Sequence, residues 1–286
     1  MGVDVRLAGE ITPFATPDDL RWAVSGGAVR RERTGGAVLT ILPELRPTLV
    51  VMLGDPHYLR AAAPGAPWAR APDAAVWGPA LHTRHGWVAG EVLAIGFGLT
   101  AAGVFALCGA PPGRLIDEAR GLGAAGNQFA DACRAALRGA DPDLEAVAGA
   151  LRGLIGPRPV DPGRPTLVLD PDASIAAQAA EAGLSERQFR RRFTAEWGAP
   201  PKVWQRLARV DAMLAALHPR SWEHAGAGDP ALRFADEPHL IREFRRLTGY
   251  TPRAYRAAVA ASGTPTLRSL PLAGEPPPDV CVARRP

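Results

Sequence analysis

Residues 185–204 read SERQFRRRFTAEWGAPPKVW. Ser185 and Gln188 stand at the spacing of a capping box, in which a hydroxyl and an amide each satisfy an orphan backbone N–H of a first helical turn. The spacing predicts a helix over 185–197, stopped by Gly198 and by Pro200 and Pro201. At about 100° per residue, Phe189 and Phe193 share one face, while Arg187, Arg190, Arg191 and Thr194 cluster on the opposite one. One face is made to be buried, and the other displays guanidinium groups.

A lone charged helix face is ordinarily just a solvated surface. Here the device is duplicated: 51 positions further on, residues 236–255 read DEPHLIREFRRLTGYTPRAY. Asp236 stands for Ser185, Leu240 for Phe189, Arg242 for Arg191, Phe244 for Phe193, Gly249 for Gly198, Pro252 for Pro201 and Tyr255 for Trp204. A cap, a core pair, an outward arginine, a glycine stop and a Pro-x-x-aromatic restart do not recur at one offset by accident, so a second helix is predicted over 236–248. Ahead of the first copy, residues 175–181 (IAAQAAE) form a short helix, and Gly183 can take the positive φ of a tight turn. Helix, glycine turn and capped arginine helix make a helix-turn-helix, whose second helix enters the DNA major groove.

Residues 172–257 thus resemble the DNA-binding region of AraC/XylS-family transcription regulators. In that family two helix-turn-helix units are joined by a long helix and each is closed by GxxPxxY/W, here GAPPKVW and GYTPRAY. The resemblance implies a cytoplasmic, sequence-specific transcription regulator, whether activator or repressor, with helices 185–197 and 236–248 in successive major grooves of promoter or operator DNA. It places base contacts at Arg187, Arg190, Arg191 and Arg242; Thr194 and Arg245 complete the candidate set. Arginine can pair bidentately with guanine O6 and N7, whereas Arg192, nearer the core edge, suits phosphate contact or packing. Phe189, Phe193, Leu240, Phe244, Trp204 and Tyr255 are assigned to the core. The joining helix is expected over 202–217, with Trp204, Leu207, Val210, Met213 or Leu214, and Leu217 inward. Its length of about 24 Å is of the order that sets two readers near one helical turn of B-DNA apart.

The second unit departs from the family pattern. Arg233 stands where a glycine is usual, and the preceding SWEHAGAGDPAL (221–232) contains Gly226, Gly228 and Pro230. Glycine costs about 1 and proline about 3 kcal/mol against alanine inside a helix, so this supporting helix should be short or broken and the second unit the weaker binder.

Charge agrees with a nucleic-acid partner. Residues 174–256 carry 14 Lys+Arg against 9 Asp+Glu, whereas the remainder carries 19 against 20. The positive excess therefore belongs to the repeat, as phosphate neutralisation requires.

Further forward, residues 37–42 (AVLTIL) and 49–53 (LVVML) are short apolar runs bounded by Gly and Pro, with further strands expected at 75–77 and within 86–97. Such runs suggest a small β-barrel or sandwich. Helical spacing takes over at 115–122, 128–137 and 143–155. The fold class is α+β: a β-rich regulatory domain with following helices over 1–155, a linker over 156–172, an all-α double helix-turn-helix domain over 173–260 and a tail over 261–286. The linker holds five prolines and two glycines, with one short strand at 166–169, and the Pro-rich tail is expected to be disordered. The front half resembles the cupin-like domain of some AraC-type regulators, through PELRPTLVVMLGD (43–55) and WGPALH (77–82). Beyond double-stranded DNA, the candidate partners are RNA polymerase, a small-molecule effector and a second copy of the chain.

Other functions are weighed by the same means. Residues 92–110 form an uncharged run of 19, but Gly96, Gly98 and Gly103 interrupt it and no basic or aromatic flanks frame it. A strand and a short helix near 101–107 are expected there, not a membrane span. The N-terminal MGVDVRLAGE lacks a signal-peptide pattern. Cys108, Cys133 and Cys281 form no CxxC pair, so neither zinc nor a disulfide framework is expected. His57, His82 and His85 are the material for a cupin-like metal enzyme, the first alternative. His82-Thr83-Arg84-His85 is not the His-x-His that such a site needs, and strand alternation turns the two imidazoles apart. No enzyme, metal or cofactor is expected. The second alternative is a helix-turn-helix scaffold that acts through protein partners.

Overall fold

The computed structural model describes residues 8–33, 36–138, 142–158, 166–217, 238–262 and 269–272. Its strands are β1 (Ala8–Phe14), β2 (Val24–Arg33), β3 (Val38–Ile41), β4 (Thr48–Met52), β5 (His57–Ala61), β6 (Ala69–Arg70), β7 (Ala74–Trp77), β8 (Arg84–Val88), β9 (Glu91–Leu99), β10 (Ala119–Gly121) and β11 (Ser269–Leu272). The helices are α1 (Ala101–Cys108), α2 (Gly123–Ala136), α3 (Leu144–Ile155), α4 (Ile175–Glu181), α5 (Glu186–Trp197), α6 (Pro201–Leu217), α7 (Pro238–Thr248) and α8 (Pro252–Ser262).

Strand β9 shows why the front half is layered. Its sequence, EVLAIGFGL, alternates large Leu93, Ile95, Phe97 and Leu99 with smaller Val92, Ala94, Gly96 and Gly98. A pleated strand sends the two sets to opposite faces. The large set joins one core with Phe129, Cys133, Val147 and Leu151 of α2 and α3, and the small set faces a second sheet. β9 lies inside a six-stranded sheet, β1-β2-β9-β4-β7-β10, and the other sheet runs β11-β3-β8-β5-β6. Every pairing is antiparallel. The front domain is thus a sandwich with a helical hairpin against one outer face; the two sheets do not close into a barrel.

The strand expectations at 37–42, 49–53, 75–77 and 86–97 correspond to β3, β4, β7 and the β8–β9 hairpin, and the short helix near 101–107 to α1. No helix among the described residues is long and apolar enough to cross a membrane. Burial pushes the Cys133 thiol up to about 12, as befits packing in an apolar core; Cys281 lies outside the described residues.

Three expectations are corrected. Residues 115–122 are not a helix: a 3-10 turn over Pro112–Leu115 leads into β10, which pairs with β7. Asp117 between them has a φ of 56°, which no helix tolerates. Residues 166–169 form no strand; Leu167 is instead buried beside α5, its N–H donating to Glu196 Oε2 (2.9 Å) and its carbonyl accepting from Trp197 Nε1 (2.9 Å). The tail is not wholly disordered, since residues 269–272 pair as β11 with the open edge of β3, from Ser269↔Ile41 to Leu272↔Val38. An edge strand supplies unpaired N–H and C=O groups to whatever chain lies beside it.

Candidate nucleic-acid interface

The first reader is assembled from local chemistry. Ser185 Oγ accepts from the Gln188 N–H (3.3 Å), and the Ser185 N–H donates to Gln188 Oε1 (2.9 Å), completing the capping box. Gly183 turns α4 into α5 at a φ of 65°, and Gly198 ends α5 at 75°. Gln178, buried on α4, holds the incoming chain: its Oε1 accepts from Asp170 N–H and its Nε2 donates to the Asp170 and Ala173 carbonyls. Phe189 and Phe193 are buried with Ile175, Ala179 and Trp204, so the inner face of α5 is fixed.

Its outer face is as expected from the helical projection. Arg187, Arg190 and Arg191 are exposed, and Thr194 is half-buried beside them. Arg187 and Arg191 make no ion pair among the described residues, whereas Arg190 reaches back one turn to Glu186 Oε2 (2.7 Å). Such an exposed pair contributes little and is readily exchanged for another acceptor. Arg192, half-buried, donates from Nε to Glu196 Oε1 (2.8 Å) and is spent on the α5–linker contact.

The second copy repeats the first to the level of ring geometry. Phe193 meets Trp204 edge to face at 5.8 Å between centroids and 83°; Phe244 meets Tyr255 at 5.8 Å and 80°. Gly249 ends α7 at a φ of 80°, and Pro252 opens α8 as Pro201 opens α6. Arg242 and Arg245 are exposed on α7. The joining helix is α6, with Trp204, Leu207, Val210, Met213 and Leu214 buried and Leu217 partly so. Arg206 of α6 pairs with Glu243 of α7 (3.4 Å), a link between the units that neither helix announces by itself. The cap at Asp236, Arg233 and the Gly/Pro-containing segment 221–232 lie outside the described residues.

Both units rest on the sandwich. Gly198 and Gly113 approach so closely that a Cβ on Gly198 would stand 2.6 Å from the Gly113 carbonyl oxygen. Leu42, at the end of β3, is buried in the second unit's core with Val210, Leu214, Phe244 and Tyr255. These contacts were invisible in the repeat, because their partners lie more than eighty residues away and carry no motif.

The three histidines are not gathered. His57 is buried at the β5 start, exposed His82 is held through Nδ1 by Asp117 Oδ2 (2.7 Å), and His85 lies on β8. Among the described residues no group of three or more His, Cys, Asp or Glu could hold a metal, and the metal-enzyme alternative is not favoured.

Comparison with known proteins agrees with this geometry. Residues 178–258 match a family model described as a helix-turn-helix domain. No curated protein matches the chain. Among solved structures, a cupin domain from Bordetella pertussis Tohama I is 12% identical, with a TM-score of 0.21, over 34% of this chain and 97% of that one. The sandwich assignment stands on the strand pairing above. Residues 178–258 thus carry a helix-turn-helix domain of the AraC type.

Proposed function

We propose that the chain is a sequence-specific transcription regulator in which α5 and α7 are the recognition helices. Arg187, Arg190, Arg191 and Arg242 read base edges, and Thr194 and Arg245 sit at the groove margin. The observation that carries this reading is the repeated Phe–aromatic support, Phe193 on Trp204 and Phe244 on Tyr255, each behind an exposed arginine face. A helix fixed from behind presents its arginines in one geometry, which bidentate pairing with guanine requires. α6, 17 residues and about 25 Å long, is the spacer that lets both readers meet one side of a duplex. RNA polymerase, a small-molecule effector and a second copy of the chain belong to the same proposal, as does a cytoplasmic location.

Footprinting the full chain on genomic fragments tests it. A protected operator is expected, with log K falling by about 0.9 per phosphate contact for each tenfold rise in salt. Arg191→Ala and Arg242→Ala each relax preference at one position by about 1–3 kcal/mol. Sequence-blind binding that is indifferent to both substitutions rejects base readout.

A further inference from the structure

Between the two sheets lies a cavity of about 300 Å³, at the small end of the ~300–1,000 Å³ range of ligand pockets. Strand alternation explains why it is there. On the six-stranded sheet the face toward the cavity carries Ala28, Thr48, Ala94, Gly96 and Gly98, where a sandwich usually interdigitates large side chains. At Gly96 an added Cβ would meet nothing closer than Thr48 Cγ2, at 3.7 Å. The backbone therefore does not demand glycine there; the small residue keeps space open.

The lining is largely apolar, and its charged groups are mostly cationic. Three arginines, Arg30, Arg46 and Arg84, face one glutamate, Glu44. Arg30 is paired with buried Glu32, and Glu44 accepts from the main-chain N–H of Arg46 (3.3 Å), a bond that does not involve the Arg46 guanidinium. Arg84 is different. Its guanidinium lies over the Trp77 ring at 5.1 Å, makes no hydrogen bond or ion pair among the described residues, and has its Nε sealed from solvent. The nearby acid, Asp117, is already taken by the N–H groups of Leu81 and His82 and by the His82 ring. Trp77 Nε1 and His57 Nδ1 are likewise sealed and unpartnered, with the two rings 6.2 Å apart. Polar groups shut away without partners are costly, and a charge most of all.

We propose that this cavity binds a small carboxylic acid with an apolar body, its carboxylate on Arg84 and its hydrocarbon against Leu39, Ile41, Leu59 and Val50. A carboxylate supplies the missing charge and accepts from the guanidinium fork. Near Trp77, burial holds the His57 ring down to about 4, so at neutral pH it offers one donor and one acceptor and no charge. Resting on the regulator reading, the structure also supplies a route to DNA binding. Leu42 lines the cavity and is buried in the second unit's core, and Thr83, beside Arg84, donates to the Leu247 carbonyl of α7.

Calorimetric titration of the full chain with hexanoate, octanoate and phenylacetate, each against its primary amide, tests the site. Saturable binding of an acid is expected, weaker by about tenfold or more for its amide and for Arg84→Gln. Gly96→Leu fills the space and should abolish binding while circular dichroism and the thermal midpoint show a folded chain. The proposal is overturned by equal binding of acid and amide, by binding that survives both variants, or by no saturable binding of any of the three acids. Because heat is read without DNA, such a failure leaves the regulator reading intact, and ligand-free footprinting tests that reading alone.

Discussion

Thr83 donates its hydroxyl hydrogen to the backbone carbonyl of Leu247 across 2.9 Å, joining the sandwich to the last turn of α7. The two residues are 164 positions apart. With Leu42 in the same neighbourhood, the second reader is held by a domain that contains no helix-turn-helix motif.

Leu42→Ala should therefore act on a distant helix. Leu42 is 1% exposed, and truncating a buried leucine costs about 2–5 kcal/mol. Amide hydrogen exchange is expected to quicken at Phe244 and Tyr255 and to stay unchanged at Phe189 and Phe193. Equal loosening of both units would show that Leu42 is not specific to the second.

Gly198→Ala and Gly183→Ala separate two demands on glycine. Both positions have positive φ, where alanine costs about 1–2 kcal/mol. Nothing lies within 4 Å of a Cβ at Gly183, whereas at Gly198 the added atom meets Ile116 at 2.5 Å and Gly113 at 2.6 Å. Urea unfolding should show Gly198→Ala the more destabilising of the two. Equal costs would mean that the α5–sandwich contact yields freely.

Arg191→Ala and Arg192→Ala should divide function from stability, although the residues are adjacent. Arg191 is exposed and unpaired among the described residues, so its loss is expected to leave the urea midpoint in place and lower operator affinity. Arg192, paired with Glu196, is expected to cost about 0.5–1 kcal/mol of stability and to leave base preference unaltered. The reverse outcome would place the wrong arginine in the groove.

His57 gives the fold an acid-sensitive window. Burial lowers its folded pKa from 6.5 to about 4, so below pH 6.5 the unfolded chain takes up a proton that the folded chain refuses. Stability from this group is complete above pH 6.5 and is lost as pH falls toward 4, by at most about 3 kcal/mol. His57→Leu should flatten that part of the stability–pH curve measured by urea midpoints. An unchanged slope would mean that the ring is hydrated in solution.

The helical half was legible because its determinants are local. A capping box spans three residues, a left-handed glycine one, and a buried helix face one or two turns, so Ser185, Gly198, Phe193 and Val210 could each be placed from neighbours in the chain. The exposed positions of Arg187, Arg191 and Arg242 followed by exclusion once the inner faces were known. The sandwich was less readable. β2, VSGGAVRRER, offers four charges and two glycines and looks like a loop, yet it pairs with both β1 and β9. Glu32 can be buried there because Arg30 pairs with it.

Short-range hydrogen bonding and helical periodicity thus established two arginine-bearing readers from the order of residues. The return of 269–272 to the edge of β3, the insertion of Leu42 beneath Tyr255, and the isolation of Arg84 beside Trp77 had to await the folded chain. Each depends on sheet register and on the gap between two sheets, which bring together groups whose separation along the backbone carries no periodic signal.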